Sequence, residues 1–321
     1  MKKFLIIQTA FIGDVILATA IIEKLHQHFK DAQIDVLVRK GNESLLESHP
    51  FIHQTLVWNK KEHKLKNLLT LSKQIRQTKY NYVFNLHRFA SSGFLTWRSN
   101  AKFKYGFDKN PLSKLFTKTF PHQIGNGMHE IERNHQLIAE LTDKTASKPK
   151  LYPTPQHYKK VKDITKNKTY IVIAPASVWF TKQAPKSKII ELINQQSKNL
   201  TIYLIGAPSD KNYCQTIIDE SKHPQTINLA GQLSLLESAV LIKQASVNYV
   251  NDSAPLHLAS AMNAKVKAFF CSTIPEFGFG PLSDDAEILQ VKTVLDCRPC
   301  GLHGHKSCPK GHFKCGLEIE L

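Results

Sequence analysis

Four short segments of the 321-residue chain place acidic, hydroxyl and lysine side chains where a strand gives way to a helix. In Gln8-Thr9-Ala10-Phe11-Ile12-Gly13-Asp14, Gly13 permits a tight turn and Asp14 opens the following helix. A carboxylate there either caps the helix and complements its dipole, or takes a proton from a hydroxyl as a general base. In the segment Ala174–Lys182, backbone N–H groups, the Ser177 and Thr181 hydroxyls and the Lys182 ammonium suit a diphosphate. The plainer reading is a surface loop carrying an incidental lysine. In Gly206-Ala207-Pro208-Ser209-Asp210, Asp210 lies just beyond a strand, where an acid either accepts hydrogen bonds from ribose hydroxyls or caps the next helix. Asn251-Asp252-Ser253-Ala254-Pro255-Leu256-His257-Leu258-Ala259 sets proline in the first turn of a helix whose open N–H groups attract anions, with Asp252 free for sugar hydroxyls. A cap at Asp252 or Ser253 explains part of that string and not the whole.

These segments need strands to aim them. Lys3–Gln8, Gln33–Val38 and Tyr82–Asn85 read as strands, with helices at Asp14–Phe29 and around Leu65–Gln77. Three prolines within Lys148–Pro155 mark a linker. A second series follows, with strands at Thr169–Ala174, Thr201–Ile205, Val247–Val250 and Val266–Phe270. Helices are expected at Lys188–Gln196, Lys211–Glu220, Ser234–Gln244 and Pro255–Met262. Strands separated by helices imply parallel sheets with right-handed crossovers. The expected α/β architecture is two Rossmann-like, doubly wound parallel-sheet domains facing a central cleft. Residues 1–150 form the acceptor domain, 151–296 the nucleotide-sugar domain, and 297–321 a cysteine-rich end.

Composition narrows the partners. With 43 Lys+Arg against 26 Asp+Glu, the net charge of +17 favours anionic ligands. The lysines are dispersed, no zinc-finger, zipper or RNA-binding-sheet signature occurs, and a nucleic acid partner is not expected. The opening Met1-Lys2-Lys3 with Phe4–Ile7 imitates a signal peptide, but Gln8 and Asp14 interrupt the apolar run. No stretch of 18 apolar residues follows, so a cytoplasmic protein is expected, one able to touch the inner membrane peripherally. The Gly13 loop lacks Gly-x-Gly-x-x-Gly, which argues against a dinucleotide dehydrogenase.

Asn251–Ala259 closely resembles the Asn-Asp-Ser-Gly-Pro-Met-His-Leu-Ala signature of glycosyltransferase family 9, the heptosyltransferases. Gly13-Asp14-Val15 with Thr19, Tyr105-Gly106-Phe107-Asp108, His129-Glu130-Ile131-Glu132-Arg133-Asn134, and Pro175-Ala176-Ser177 with Thr181-Lys182 resemble other landmarks of that family, in order. The resemblance implies a GT-B fold and an inverting transfer of heptose from ADP-L-glycero-D-manno-heptose to an inner-core lipopolysaccharide, with no cofactor and no metal. It makes Asp14 the base, assigns Ser177, Thr181 and Lys182 to the donor diphosphate, and Asp210 to the ribose. Asp252 goes to the donor sugar, Ser253 and the turn to His257 support the phosphates, and Leu233–Leu235 falls where the family cradles adenine. Arg88, Arg98 and Lys102 are acceptor-side candidates by location, for an acidic glycolipid. Ala176 and Ala254 stand where the family has glycine, and Gln183-Ala184 where it has Arg-Trp.

Cys297-x2-Cys300-x7-Cys308-x6-Cys315 holds four of the six cysteines. Such thiols can bind zinc, but a second Cys-x2-Cys is missing and nearby histidines compete. The heptosyltransferase II branch carries a similar tail, and the reading adopted is a thiol-rich segment without metal. Two alternatives remain open at this point: a GT-B transferase using another nucleotide sugar, and a basic nucleic-acid-binding protein.

Overall fold

In the computed structural model, which describes residues 1–321, the chain divides into two compact units, Met1–Tyr152 and Pro153–Leu321. The first runs β1 (Lys3–Ile7), α1 (Ile12–His28), β2 (Gln33–Arg39), β3 (Gln54–Trp58), α2 (Lys64–Thr78), β4 (Tyr82–Asn85), α3 (Ala90–Arg98), β5 (Phe103–Phe107), β6 (Lys118–Phe120) and α4 (Glu130–His135). The second runs α5 (Pro155–Thr165), β7 (Tyr170–Ala174), α6 (Lys186–Asn194), β8 (Thr201–Leu204), α7 (Lys211–Glu220), β9 (Thr226–Asn228) and α8 (Leu235–Gln244). It continues through β10 (Asn248–Asn251), α9 (Ala254–Met262), β11 (Val266–Phe269), β12 (Ala286–Leu289) and α10 (Lys314–Leu317).

Each unit is one six-stranded sheet, ordered β3-β2-β1-β4-β5-β6 in the first and β12-β11-β10-β7-β8-β9 in the second. All strand pairs are parallel. Counted from the first strand of each unit, the two orders are the same. The order reverses between β1 and β4, and again between β7 and β10. At such a reversal the connections leave on opposite faces of the sheet, and the carboxyl ends of the two strands open a crevice. The central strands are apolar runs without alternation, as burial on both faces requires: β7 is buried at all five positions.

Helix α1 is apolar nearly all round, with Val15 to Leu25 buried without a break. It begins two residues before the expected Asp14, so Gly13 adopts helical backbone in the first turn rather than forming a tight turn. The proline-rich stretch contains the division between units, and Pro155 already opens α5 at a position where a missing N–H costs nothing. The cysteine-rich end does not stand apart. Phe313, Cys315 and Ile319 are buried in one core with Ile171, Ile173 and Leu204 of the second unit.

The turn after β4 is fixed by a side chain from after β5. Asn110 Nδ2 donates to the carbonyls of His87 (2.9 Å) and Phe89 (3.1 Å), and its Oδ1 accepts the Leu112 N–H (3.0 Å). A Cβ at Gly93 would stand 2.2 Å from that Oδ1. Gly93→Ala would gain about 1 kcal/mol of helix propensity. It must also displace Asn110 and break bonds worth about 1 kcal/mol each. Net destabilisation of about 2 kcal/mol is expected, read as a lowered urea midpoint at unchanged slope.

Candidate active site

Asp14 is the third residue of α1, half-buried, and its Oδ2 accepts the Phe11 N–H at 3.1 Å. It does cap the helix, as the plainer reading held. Its environment does more. Burial pushes its pKa up to about 6, the charge of Glu130 adds to the rise, and the helix N–H groups and Arg39 oppose it. Glu130 sits in α4, which packs on α1. Burial disfavours its charge, but His122 (3.2 Å) and Arg133 (2.8 Å) outweigh that and hold the carboxyl below its usual value. Burial, with the Glu130 carboxylate adding to it, therefore keeps Asp14 near the point where it can exchange protons at neutral pH.

The loop before Asp14 is tied across the first reversal. His87 Nδ1, just beyond β4, lies 3.0 Å from Thr9 Oγ1, just beyond β1. Lys60 Nζ donates to Thr9 O (2.7 Å) and Asn42 Nδ2 to Ala10 O (3.1 Å). Burial, then the charges of Arg39 and Lys64, push the Lys60 ammonium down to about 8. Burial, then Lys60, Arg88 and Arg39, push His87 down to about 4, so its ring is neutral at physiological pH. Arg39, Lys60 and His87 were not singled out from the sequence. The rule that picked Asp14, polar residues directly after a central strand, applies equally to His87 after Asn85.

The three acceptor-side candidates separate. Arg88 follows β4 at this same edge. Arg98 ends α3, and Lys102 donates its N–H to Tyr80 O (3.3 Å), just ahead of β4. Arg98 and Lys102 therefore lie at the amino edge of the sheet, remote from Asp14. Dispersed positive charge carries no information about which edge it occupies.

In the second unit, Lys182 Nζ meets Asp252 Oδ2 at 2.7 Å, with side chains 16% and 7% exposed. The pair spans the second reversal: Lys182 ends a single 3-10 turn after β7, and Asp252 directly follows β10. Thr273 donates its hydroxyl to the same carboxylate oxygen at 2.6 Å. The neighbouring Asn251, fully buried, explains why this string is longer than a cap. Its Oδ1 accepts the Ala184 N–H (2.8 Å), and its Nδ2 donates to the carbonyls of Ala174 (3.2 Å) and Pro175 (2.9 Å), fixing both ends of the lysine loop.

The other candidates take varied places. Thr181 is 1% exposed, and its Oγ1 accepts from His305 N–H (2.7 Å) and Ser272 (3.0 Å). That hydroxyl pins the loop to the cysteine-rich segment instead of being presented to an anion. Ser177 remains partly exposed on the loop, its N–H donated to Gln183 Oε1 (3.1 Å). Ser253 precedes α9 without a side-chain cap bond, its hydroxyl donating to Asn251 O (3.3 Å), and His257 is buried in the second turn. Asp210 folds back on its own turn, accepting from Ala207 N–H (2.8 Å) and from Ser209 (3.3 Å). The sequence did not single out Arg298. Its guanidinium donates to the carbonyls of Phe270, Cys271 and Thr273, fixing the turn that carries Ser272 and Thr273. No group of three or more His, Cys, Asp and Glu side chains is arranged to hold a metal ion.

The raised pKa of Asp14 has a measurable consequence for stability. A group whose pKa is higher folded than unfolded favours folding below its unfolded value near 3.8, and that contribution is lost as pH rises through about 6. Asp14→Asn is therefore expected to stabilise the protein by about 1 kcal/mol at pH 7.5, after allowance for solvent screening of a half-exposed group. At pH 4 the gain should vanish. Equal melting temperatures for the two proteins at pH 7.5 would count against a raised pKa.

The model of glycosyltransferase family 9 (heptosyltransferase) matches residues 68–308. Lipopolysaccharide heptosyltransferase 1 of Campylobacter coli is 26% identical, covering 92% of this chain and 89% of its own. Lipopolysaccharide heptosyltransferase 3 of Escherichia coli is 26% identical, covering 82% of each. Among solved structures, the E. coli ADP-heptose lipopolysaccharide heptosyltransferase II superposes with a TM-score of 0.80 at 19% identity, covering 94% of this chain and 96% of that one. The two doubly wound sheets are thus those of the GT-B fold, and the chain belongs to glycosyltransferase family 9, the heptosyltransferases.

Proposed function

We propose that the protein transfers heptose from ADP-L-glycero-D-manno-heptose to an inner-core lipopolysaccharide acceptor, with inversion at the anomeric carbon. The observation that carries this reading is the Lys182–Asp252 pair at 2.7 Å across the reversal between β7 and β10. It offers a cation for a diphosphate, a carboxylate for sugar hydroxyls, and beside them the uncapped first turn of α9. The ADP-heptose named for the solved E. coli relative is the donor these groups suit.

In the proposed reaction Asp14 takes the proton of the acceptor hydroxyl as its oxygen attacks the anomeric carbon. The bond from that carbon to the diphosphate oxygen breaks, and ADP leaves with the electron pair. Lys182 neutralises the charge growing on the leaving diphosphate, a role that requires no metal. The proposed base lies in the first unit and the proposed donor groups in the second. Asp210 keeps its carboxylate bonded within its own turn, with lone pairs left on both oxygens for a ribose hydroxyl. Arg39, Lys60 and Arg88 around the Asp14 loop suit an acceptor rich in acidic groups, and a net charge of +17 suits one held at an anionic membrane. No helix is long and apolar enough to cross a membrane. The location proposed is cytoplasmic, with peripheral contact at the inner membrane.

Asp14→Ala is expected to lower turnover by about 10²–10⁴-fold, the usual worth of a general base, with circular dichroism unchanged. Near-normal turnover in that variant would refute the assignment. Because the base must be ionised, the wild-type rate should climb with pH through about 6 and then level. Glu130→Gln removes a charge that resists ionisation of Asp14, so its limb should move to lower pH. Product formation from a panel of ADP- and UDP-sugars separates heptose from other donors.

A further inference from the structure

An apolar groove of about 500 Å³ opens on the first unit, lined by Leu65, Leu68 and Leu69 of α2, Ala90 and Phe94 of α3, and Leu112. Helix α2 faces two ways. Leu71 and Ile75 are buried in the core with Leu5, Leu37 and Trp58, whereas Leu65 is 72% exposed and Leu69 54%. At spacing i, i+4 those two leucines form one outward stripe. Phe89 (59%), next in the chain to the lining Ala90, and Leu115 (46%), three residues after the lining Leu112, are exposed as well. A contiguous patch of this kind is uncommon on a soluble surface and marks a contact.

The rim of the patch is basic. Lys61, Lys64 and Lys66 bracket Leu65, Lys109 and Lys114 flank Leu112, and all five are exposed. From 60 to 118 the only acids are Glu62 and Asp108, against fourteen lysines and arginines. Apolar side chains within a cationic rim match the layering of an anionic bilayer, acyl chains beneath negative headgroups. The patch also joins the edge that carries Asp14. Phe89 and Ala90 directly follow His87 and Arg88, and Asn110 ties the Leu112 turn to the carbonyls of His87 and Phe89.

We propose that this groove and its lysine rim form the docking surface by which the protein seats on an anionic lipid bilayer. The surface deepens the glycolipid reading, since a headgroup held there lies along the edge bearing the proposed base. It stands on that reading only for its purpose.

The test uses the full chain, sedimented with vesicles of phosphatidylcholine alone or mixed with phosphatidylglycerol. Wild type is expected to bind the mixed vesicles, weakly the neutral ones, and to be released by about 0.5 M salt, where the screening length is roughly 4 Å. L65Q/L69Q changes two exposed helix positions, so the fold should persist, and binding should weaken by about tenfold or more. Its turnover of a deacylated, water-soluble acceptor should match wild type. Wild type that ignores mixed vesicles, or a double variant that binds them equally well, overturns the proposal. So does a concentration-dependent dimer abolished by L65Q/L69Q, which would assign the face to a second copy. Absence of any heptosyl transfer alongside normal vesicle binding would sink the proposed reaction and leave the docking surface standing.

Discussion

A parallel sheet whose strand order reverses has one place where neighbouring strands send their connections to opposite faces. The two carboxyl ends there are left without a covering crossover, and any polar group that follows them is free to meet a ligand. Both units of this protein obey that constraint with the same strand order, and both bring candidate residues together at the reversal. In the first unit the contact across it is His87 to Thr9, five residues before Asp14. In the second it is Lys182 to Asp252. Side chains far apart in sequence are neighbours there because the sheet order makes them so.

The electrostatics of the two edges differ in kind. Around Asp14 a carboxylate is kept reluctant to ionise by burial and by Glu130, whose own charge is secured by His122 and Arg133. Basic groups nearby, Arg39 and Lys60, face the same loop, and burial, then the crowding of positive charge, lowers the pKa of Lys60. Around Lys182 the positive charge is already matched. Asp252 holds the ammonium while Thr273 holds Asp252, so the pair is ordered before any ligand arrives and little reorganisation is left to binding. In the proposed reaction a diphosphate would compete for the lysine, and Thr273 would still donate to Asp252.

Much of this was legible in the residues. The long apolar strands and the helices between them gave the doubly wound class, and Asp14, Lys182 and Asp252 stood out because polar residues directly followed central strands. The edge strands were not legible: β9 is three residues long and β12 is exposed at three of its four positions, so neither shows a buried run. Thr181 was read as a phosphate ligand because a hydroxyl beside a lysine suggests one, yet its partner is the backbone of His305, 124 positions away. Glu130 lay in a string that resembled a family landmark, but its effect on Asp14, like the role of Arg298, depends on packing between distant segments that no local pattern records. Arg98 and Lys102, acceptor-side candidates by location, lie at the other edge of the sheet from Asp14, and charge density alone does not say at which edge a residue lies.

The central claim, that the reversal in the second unit is a diphosphate site organised by Lys182, is tested most directly by calorimetric titration of ADP into the wild-type protein and into Lys182→Met. Methionine keeps the length of the side chain and removes its charge. The expected result is saturable binding to wild type that weakens by about tenfold or more in the variant, the worth of one charge-assisted contact. ADP that binds both proteins alike, or neither, would contradict it.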